Sequence, residues 1–257
     1  IPSDLYSANQ DLDLLTYGLF AQGQYKPLDS LKLVAGARVD RFDYDIRNRK
    51  LPAASVRYDR SVFTPRAGIV WTPVGNVDLF ANVGQGFRSP SQAELSPSGA
   101  LGPLGAAGGA GNPNVAPPKL RSVDIGFNAF VTPRWQIGAA YYHTKNSGEI
   151  AKVAPGIFDN VGNTTRDGWE ASSTFHATDS LRVYGSYGRL IRSRIDSAAP
   201  GAADRLSLPE HMVKAGVGWT TPFTGGRLLL NGDFSWVSPT PYFSGTPARI
   251  GYARPYS

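Results

Sequence analysis

The sequence of 257 residues predicts an all-β fold, an antiparallel transmembrane β-barrel. Three observations favour this class: apolar and polar residues alternate along ten separate runs, the connections between runs are alternately short and long, and large aromatic residues stand at the ends of the runs. The 29 Gly, 20 Pro, 12 Tyr and 12 Phe are typical of turn-rich β structure. No run of about 18 apolar residues is present, which excludes a transmembrane helix.

The alternation has the period of two that a strand with one apolar face requires. Leu31, Leu33 and Val39 are apolar, for example, whereas Lys32 and Arg38 between them are charged. The runs hold about the 9–11 residues that a tilted strand needs to cross a bilayer. They lie near residues 15–25, 31–43, 61–72, 77–87, 120–131, 135–146, 165–175, 181–192, 210–219 and 227–237.

The connections support a barrel in an outer membrane rather than a soluble sandwich. Tight hairpins on the periplasmic side and longer external loops are typical of such barrels. The short connections read KPLDS, TPVGN, TPR, HATDS and TTPFTGG. Between them lie long segments, which we expect to be external loops, at 46–60, 88–119, 146–164 and 193–209.

Aromatic residues predict where the lipid head groups lie, because amphipathic rings collect at membrane interfaces. Five rings beside the short turns predict a periplasmic belt of Tyr25, Trp71, Trp135, Phe175 and Trp219. Five rings at the opposite ends predict an external belt of Tyr17, Tyr141, Trp169, Tyr187 and Trp236. Each single ring could equally pack in a soluble β core, so the prediction depends on their common placement.

Charge separates the two predicted faces. A Lys or Arg that faces lipid at mid-membrane costs about 2–4 kcal/mol. The apolar face is free of such residues. The charged residues that fall on the other face include Arg66, Glu170, Arg182 and Lys214. We therefore expect one face to contact outer-membrane lipid and the other to line a wet lumen. The 26 Lys and Arg are scattered among 20 acids, which argues against nucleic-acid binding. Without Cys, disulfides and thiolate metal sites are excluded.

Several motifs occur in the order of a known family. GQGFRSPSQAEL is followed by NPNVAPP, then by DNVGNTTRDGWEAS, and LPEHMVKAGVGW comes later. These segments resemble the TonB-dependent outer-membrane receptors over nearly the whole chain. The positions that carry the resemblance are Gly86, Phe87, Arg88, Pro90, Glu94, Leu95, Asn112, Pro113, Asn114, Pro117, Asn160, Gly162, Arg166, Gly168 and Glu170.

The resemblance implies a partial barrel domain over residues 1–257, about half of the family's twenty-two strands, from the C-terminal half. We expect the plug and the segment that contacts TonB to belong to a region absent from this chain. A departure is Lys119, where the family carries an acid. The implied function is active uptake of ferric siderophores or similar scarce solutes across the bacterial outer membrane, with no resident cofactor.

Three residues near the predicted outer mouth are the candidate ligand contacts: Arg88, Tyr142 and Arg166. Ferric siderophores are often anionic, and Arg binds planar anionic groups through paired hydrogen bonds. The alternative for each arginine is a structural ion pair with a wall carboxylate such as Glu170.

Two other functions stay open on the sequence. A passive channel without a plug would share every barrel feature, and an upstream plug would distinguish it. An outer-membrane enzyme is less favoured, because His143, Ser147 and Asp159 stand in no triad context, and it predicts hydrolysis that changing His143 abolishes. None of the three histidines has a neighbour at metal-ligand spacing, so we expect no metal site.

Overall fold

The structure is a computed structural model that describes residues 9–49, 52–96, 112–154, 157–196, 206–244 and 249–254. Ten antiparallel strands form one sheet in chain order, which confirms the predicted fold class. Their bounds are β1 Gln10–Leu28, β2 Leu31–Asn48, β3 Val56–Val74, β4 Val77–Phe87, β5 Lys119–Thr132, β6 Trp135–Ala154, β7 Ile157–His176, β8 Leu181–Ile195, β9 His211–Phe223 and β10 Gly226–Val237.

Three smaller features complete the described residues. A four-residue helix, α1 (Gln92–Leu95), follows β4, and a turn of 3-10 helix spans Pro52–Ala54. The strands β11 (Pro241–Ser244) and β12 (Arg249–Tyr252) form a separate hairpin. Among the described residues, no helix has the length and apolarity needed to cross a membrane.

Each strand of the large sheet pairs with the next strand in the chain, and five of these pairs are joined by short turns. Only two residues separate β1 from β2, β3 from β4, β5 from β6, and β9 from β10, and four separate β7 from β8, as the short connections predict. Within the described residues, β1 pairs only with β2 and β10 only with β9, so the sheet is open. It is the wall of a partial barrel.

The external segments differ from the prediction, because several continue as strands. Residues 146–164 were expected to form a loop, but β6 and β7 extend through them and pair as far as Ala154 and Ile157. The register shifts after Ser147, where Gly148 has a φ of 70°, a backbone conformation that favours glycine. The backbone of polar residues can form strand hydrogen bonds in water, so a polar composition alone does not end a strand.

The two faces of the sheet have the chemistry that alternation predicts. Apolar side chains on the outward face are exposed, including Ile125 at 56% and Leu230 at 50%. The aromatic residues of the predicted periplasmic belt are also exposed on this face, and Trp135 lies directly opposite Phe175 on the next strand. Exposure of this much apolar surface is consistent with lipid contact.

The phase of the alternation reverses at the external ends of β2 and β3. Up to Val39 the apolar residues face outward, but Phe42, Tyr44 and Ile46 face the lumen and are buried. They form an apolar cluster that Leu95 of α1 and Val115 cover from the luminal side. The buried members are Phe42, Tyr44, Ile46, Val56, Tyr58, Val62, Leu95 and Val115. At these external ends, therefore, the apolar side chains of the strands pack against an inward-folded loop and do not face lipid.

Candidate ligand site at the outer end of the luminal face

The segment after β4 folds inward and fixes one rim of the lumen. Phe87 packs edge-on against Phe42, with ring centroids 5.3 Å apart, and Leu95 of α1 is completely buried in the apolar cluster. Pro90 is also buried. Nothing in the structure explains the glycine at position 86, because an added Cβ would lie 3.9 Å from the Cβ of Leu120.

Arg88 forms a two-pronged ion pair within this segment. Its Nη1 and Nη2 atoms donate to the two carboxylate oxygens of Glu94 at 2.7 and 2.9 Å. Glu94 also accepts hydrogen bonds from the backbone N–H and the hydroxyl of Ser91, in the arrangement of a capping box. The partner of Arg88 is therefore Glu94, in the same loop, and not a wall residue such as Glu170.

These contacts set the charge states of the pair. Burial alone would raise the pKa of Glu94, but the hydrogen bonds from Arg88 and Ser91 outweigh it and hold that pKa below its usual value. The hydrogen bonds to Glu94 raise the pKa of Arg88, and the negative charges of Glu94 and Glu149 add to this effect. Both groups are ionised at neutral pH.

The second half of the loop is clamped by Asn160 of β7. Its amide oxygen accepts from the backbone N–H of Ala116 at 2.7 Å, and its amide nitrogen donates to the Ala116 carbonyl at 3.0 Å and to the Gly148 carbonyl at 2.6 Å. The side chain of Asn112 donates to the Phe158 carbonyl at 2.9 Å. Gly162, with a φ of 143°, lies at the register shift beside this clamp. The family motifs thus dock one external loop onto one hairpin.

A groove of about 530 Å³ opens beside the docked loop, on the luminal side of β1 and β2. Arg88 and Arg38 both reach it. Arg38 is held by the buried carboxylate of Asp40, to which its Nε donates at 2.7 and 2.8 Å. Each arginine therefore brings its own counter-ion, so the groove offers hydrogen-bond donors without net charge. Its other lining residues are Thr16, Tyr17, Gly18, Phe42, Phe87 and Ser89.

Arg166 lies in a second cavity, of about 330 Å³, between β6, β7 and β8. Its Nε atom is buried and has no hydrogen-bond partner among the described residues. A buried donor without a partner costs about 1–3 kcal/mol and more when charged, which an anionic ligand would recover. The cavity is lined by Glu149, Val161, Gly162, Asn163, Thr164, Ile195 and Leu206.

Tyr142 lies on the same luminal face, one pleat below Arg166. It is directly opposite Gly168 of β7. An added Cβ at Gly168 would collide with the Tyr142 hydroxyl and would lie 2.5 Å from the carbonyl oxygen of Arg189. Gly168 therefore leaves the space that the Tyr142 ring occupies. Glu170, two residues further along β7, is exposed and lines a separate small hollow of about 160 Å³.

The three predicted ligand contacts do not form one site. Arg88 lines the groove at β1 and β2, whereas Arg166 lines the separate cavity between β6, β7 and β8, and Tyr142 of β6 lines neither. The sequence reasoning missed Arg38, Asp40 and the apolar cluster. The signal was present, because in DRFDYDIRN the apolar residues move from odd to even positions.

The histidines occupy positions without a catalytic or metal-binding arrangement. Nδ1 of His143 contacts the carboxylate of Asp167, which is 4% exposed, on the outward face. Nδ1 of His211 lies 2.7 Å from the hydroxyl of Tyr187. Within the described ranges, no three His, Asp or Glu side chains are grouped so as to hold a metal ion.

Comparisons with known proteins agree with this architecture. The chain resembles the ferric-catecholate import receptor Fiu of Escherichia coli, with a TM-score of 0.68 and 16% identity over 97% of this chain and 38% of that one. It resembles the copper transporter OprC, with a TM-score of 0.71 and 16% identity over 96% of this chain and 39% of that one. For the ferric yersiniabactin receptor FyuA of Yersinia pestis the TM-score is 0.67, with 14% identity over 90% and 35%.

The chain spans less than two fifths of the length of these structures. No curated protein sequence matches it. The family profile described as TonB dependent receptor-like, beta-barrel matches residues 2–256. This family comprises receptors of the outer membrane and not enzymes, which confirms the predicted location and the predicted absence of catalysis. The chain belongs to the TonB-dependent receptor family and forms part of its β-barrel.

Proposed function

We propose that the protein containing this barrel segment imports a ferric siderophore or a similar scarce anionic solute across the outer membrane, with energy supplied through TonB. Its TonB contact and plug would lie outside this chain. The iron chelate would be cargo and not a resident cofactor. The external end of the luminal face would capture the solute before it passes through the barrel.

The observation that carries the proposal is the buried, unpartnered Nε of Arg166 in a cavity on the luminal wall. A buried guanidinium Nε without a hydrogen-bond partner favours an oxyanion ligand, such as the carboxylate or phenolate oxygens of an iron chelate. Arg88 supports this site less directly, because Glu94 already occupies two of its donors. Its part would be to hold the loop that borders the lumen.

Uptake of radioactive iron by iron-starved cells tests the function. Cells that produce the full-length protein, and lack other receptors for the chelate used, should accumulate iron from at least one chelate of a panel. Deletion of TonB should abolish that uptake. Uptake that continues without TonB would identify a passive channel, and no uptake from any anionic chelate would contradict the proposed solute class.

The role of Arg166 is tested with a matched pair of variants. Arg166→Gln should weaken chelate binding about tenfold or more, since a hydrogen bond to a charged group contributes about 1.5–3 kcal/mol. Arg182→Gln is the control, because Arg182 lies at the periplasmic end of β8, where it stacks over Tyr184 at 5.0 Å. Chelate titration of the purified protein measures both affinities. Equal affinities of the two variants would show that Arg166 does not contact the chelate.

A further inference from the structure

A group of basic side chains lies on the outward face, directly above the external aromatic belt. On β6 and β7, Tyr141 and Trp169 are paired across the sheet and belong to that belt. Strand pairing continues this row to Arg189 of β8, and the next two rows outward carry further cations. We define the basic patch as Arg121, Lys145, Arg189, Arg192 and Arg194.

The strand register fixes the size of the basic patch. Arg121 pairs with Lys145, Lys145 with Thr165, and Thr165 with Arg194, so one row crosses four strands. With neighbouring strands about 4.8 Å apart, this row spans about 15 Å. Two pleats separate it from the row of Arg189, which adds about 13 Å along the strands. The area is large enough for a head group with more than one phosphate.

The cations of the basic patch outnumber the nearby carboxylates. Nε of Arg192 lies 3.2 Å from Oδ2 of Asp167, and Nη2 of Arg194 lies 2.9 Å from Oδ1 of Asp196. In the part of the chain that the structure describes, Arg121, Lys145 and Arg189 form no ion pair. The five cations and the two carboxylates paired with them leave a formal excess of three positive charges in these rows, the histidines being counted as neutral.

The corresponding outward surface of β1 to β3 has no positive excess, because it carries five aspartates and four arginines. Its charged residues are Asp11, Asp13, Asp43, Asp45, Asp59, Arg41, Arg47, Arg49 and Arg57. All four arginines have an aspartate within ion-pair distance; Arg49 Nη2 lies 2.7 Å from Asp11, and Arg47 and Arg57 share Asp45 at 3.5 Å. The positive excess on β5 to β8 therefore does not occur on β1 to β3.

We propose that the basic patch binds the phosphorylated head group of a lipid in the external leaflet. Guanidinium groups bind phosphate oxygens in pairs, and each Lys or Arg at an anionic membrane surface contributes about 1 kcal/mol. The patch faces away from the lumen, so a transported solute is not its ligand. It continues the belt of Tyr141 and Trp169, which places its guanidinium groups where lipid phosphates lie.

A binding experiment with the full-length folded protein in detergent tests this inference. The probe is fluorescent lipid A that carries both phosphates, compared with the same lipid after both phosphates have been removed. The test variant combines Arg121→Gln, Lys145→Gln and Arg189→Gln. The control combines Arg41→Gln, Arg47→Gln and Arg57→Gln, which removes the same formal charge from the same face. Heat-modifiable gel mobility confirms that each barrel is folded.

We expect the test variant to bind phosphorylated lipid A about 100-fold more weakly than the wild type, at about fivefold for each cation removed. The control variant should bind within about threefold of the wild type, since paired surface charges contribute little. Equal losses in both variants would overturn the proposal. So would tight binding of the dephosphorylated lipid, and complete displacement of lipid A by an equal concentration of inorganic phosphate would identify a free-anion site instead.

Discussion

Arg88 illustrates how a residue predicted to contact a ligand can also hold a loop in place. Charge and position alone suggested a contact for an anionic ligand, but both of its Nη atoms are engaged by Glu94. Arg166 belongs to another of the family motifs, and its Nε is buried without a partner among the described residues. Sequence identifies the residue type, whereas only the fold shows which hydrogen-bond donors remain free.

Gly168 provides a test at the scale of a single residue. We expect Gly168→Ala to destabilise the barrel by about 1–3 kcal/mol, the usual cost of overpacking. The new Cβ would meet the Tyr142 hydroxyl, which can move, and the Arg189 carbonyl, which belongs to the strand backbone. Urea unfolding of the full-length protein in lipid vesicles measures the change.

Gly84→Ala is the matched control for this substitution. Gly84 is also a strand glycine, but its added Cβ would have a nearest contact of 3.8 Å, to the Cβ of Arg66. It should unfold within about 0.5 kcal/mol of the wild type, as substitutions without a specific mechanism do. Equal stability of Gly168→Ala and Gly84→Ala would show that the close approach of Tyr142 and Arg189 is not maintained in the membrane.

At the scale of elements, the docking of α1 should depend on pH. The folded pKa of Glu94 lies below its unfolded value, so the ion pair with Arg88 stabilises the docked loop fully above about pH 4.3. This contribution is lost as the pH falls from there through the lower folded pKa. Hydrogen exchange of the Asn112 amide, which donates to the Leu95 carbonyl at 2.9 Å, reports the docking.

Glu94→Gln separates this effect from other titrations. The amide keeps an acceptor for Ser91 but removes the charge that Arg88 requires. After correction for intrinsic exchange rates, the variant should show weaker protection at neutral pH and no loss that is specific to the acid range. An identical pH profile in the wild type and in Glu94→Gln would show that another group controls the loop.

The sequence predicted the strands better than it predicted their ends. Alternation identified all ten strands of the large sheet, because a sheet between lipid and water must separate its side chains strictly. The extensions of β6 and β7 were missed because above the membrane both faces meet polar surroundings. The inward apolar cluster was missed for the opposite reason: Phe42 and Tyr44 continue the alternation but with its phase reversed.

At the scale of the whole molecule, the chemistry of both faces of the sheet changes along the length of the strands. Between the predicted aromatic belts the outward face is apolar. Above the predicted external belt the outward face becomes charged, and the luminal face becomes apolar where the loop docks. The basic patch could be recognised only from the register, since Arg121 and Arg194 are 73 positions apart in the chain and share one row through Lys145 and Thr165. Pairing of distant residues is the information that one sequence does not provide.

One arginine substitution on each face tests which face meets lipid and which meets water. Ala139 points outward between the two predicted belts and pairs with Phe127 and Ala171, whereas Asn128 points into the lumen beside Gly138. Ala139→Arg should destabilise the folded protein by about 2 kcal/mol, because the guanidinium must remain in hydrocarbon or distort the bilayer to reach water. Asn128→Arg, at nearly the same depth, should cost less than about 0.5 kcal/mol, since its side chain enters water.

Unfolding by urea in vesicles of a zwitterionic lipid measures both changes and excludes attraction to anionic head groups. Ala139 is small, so its replacement removes little apolar contact. The difference in unfolding free energy between the two variants therefore reports whether each face meets lipid or water. Equal stabilities, or a larger loss for Asn128→Arg, would mean that the outward side chains do not face lipid. In that case the barrel assignment, the aromatic belts and the lipid contact of the basic patch would all be wrong together.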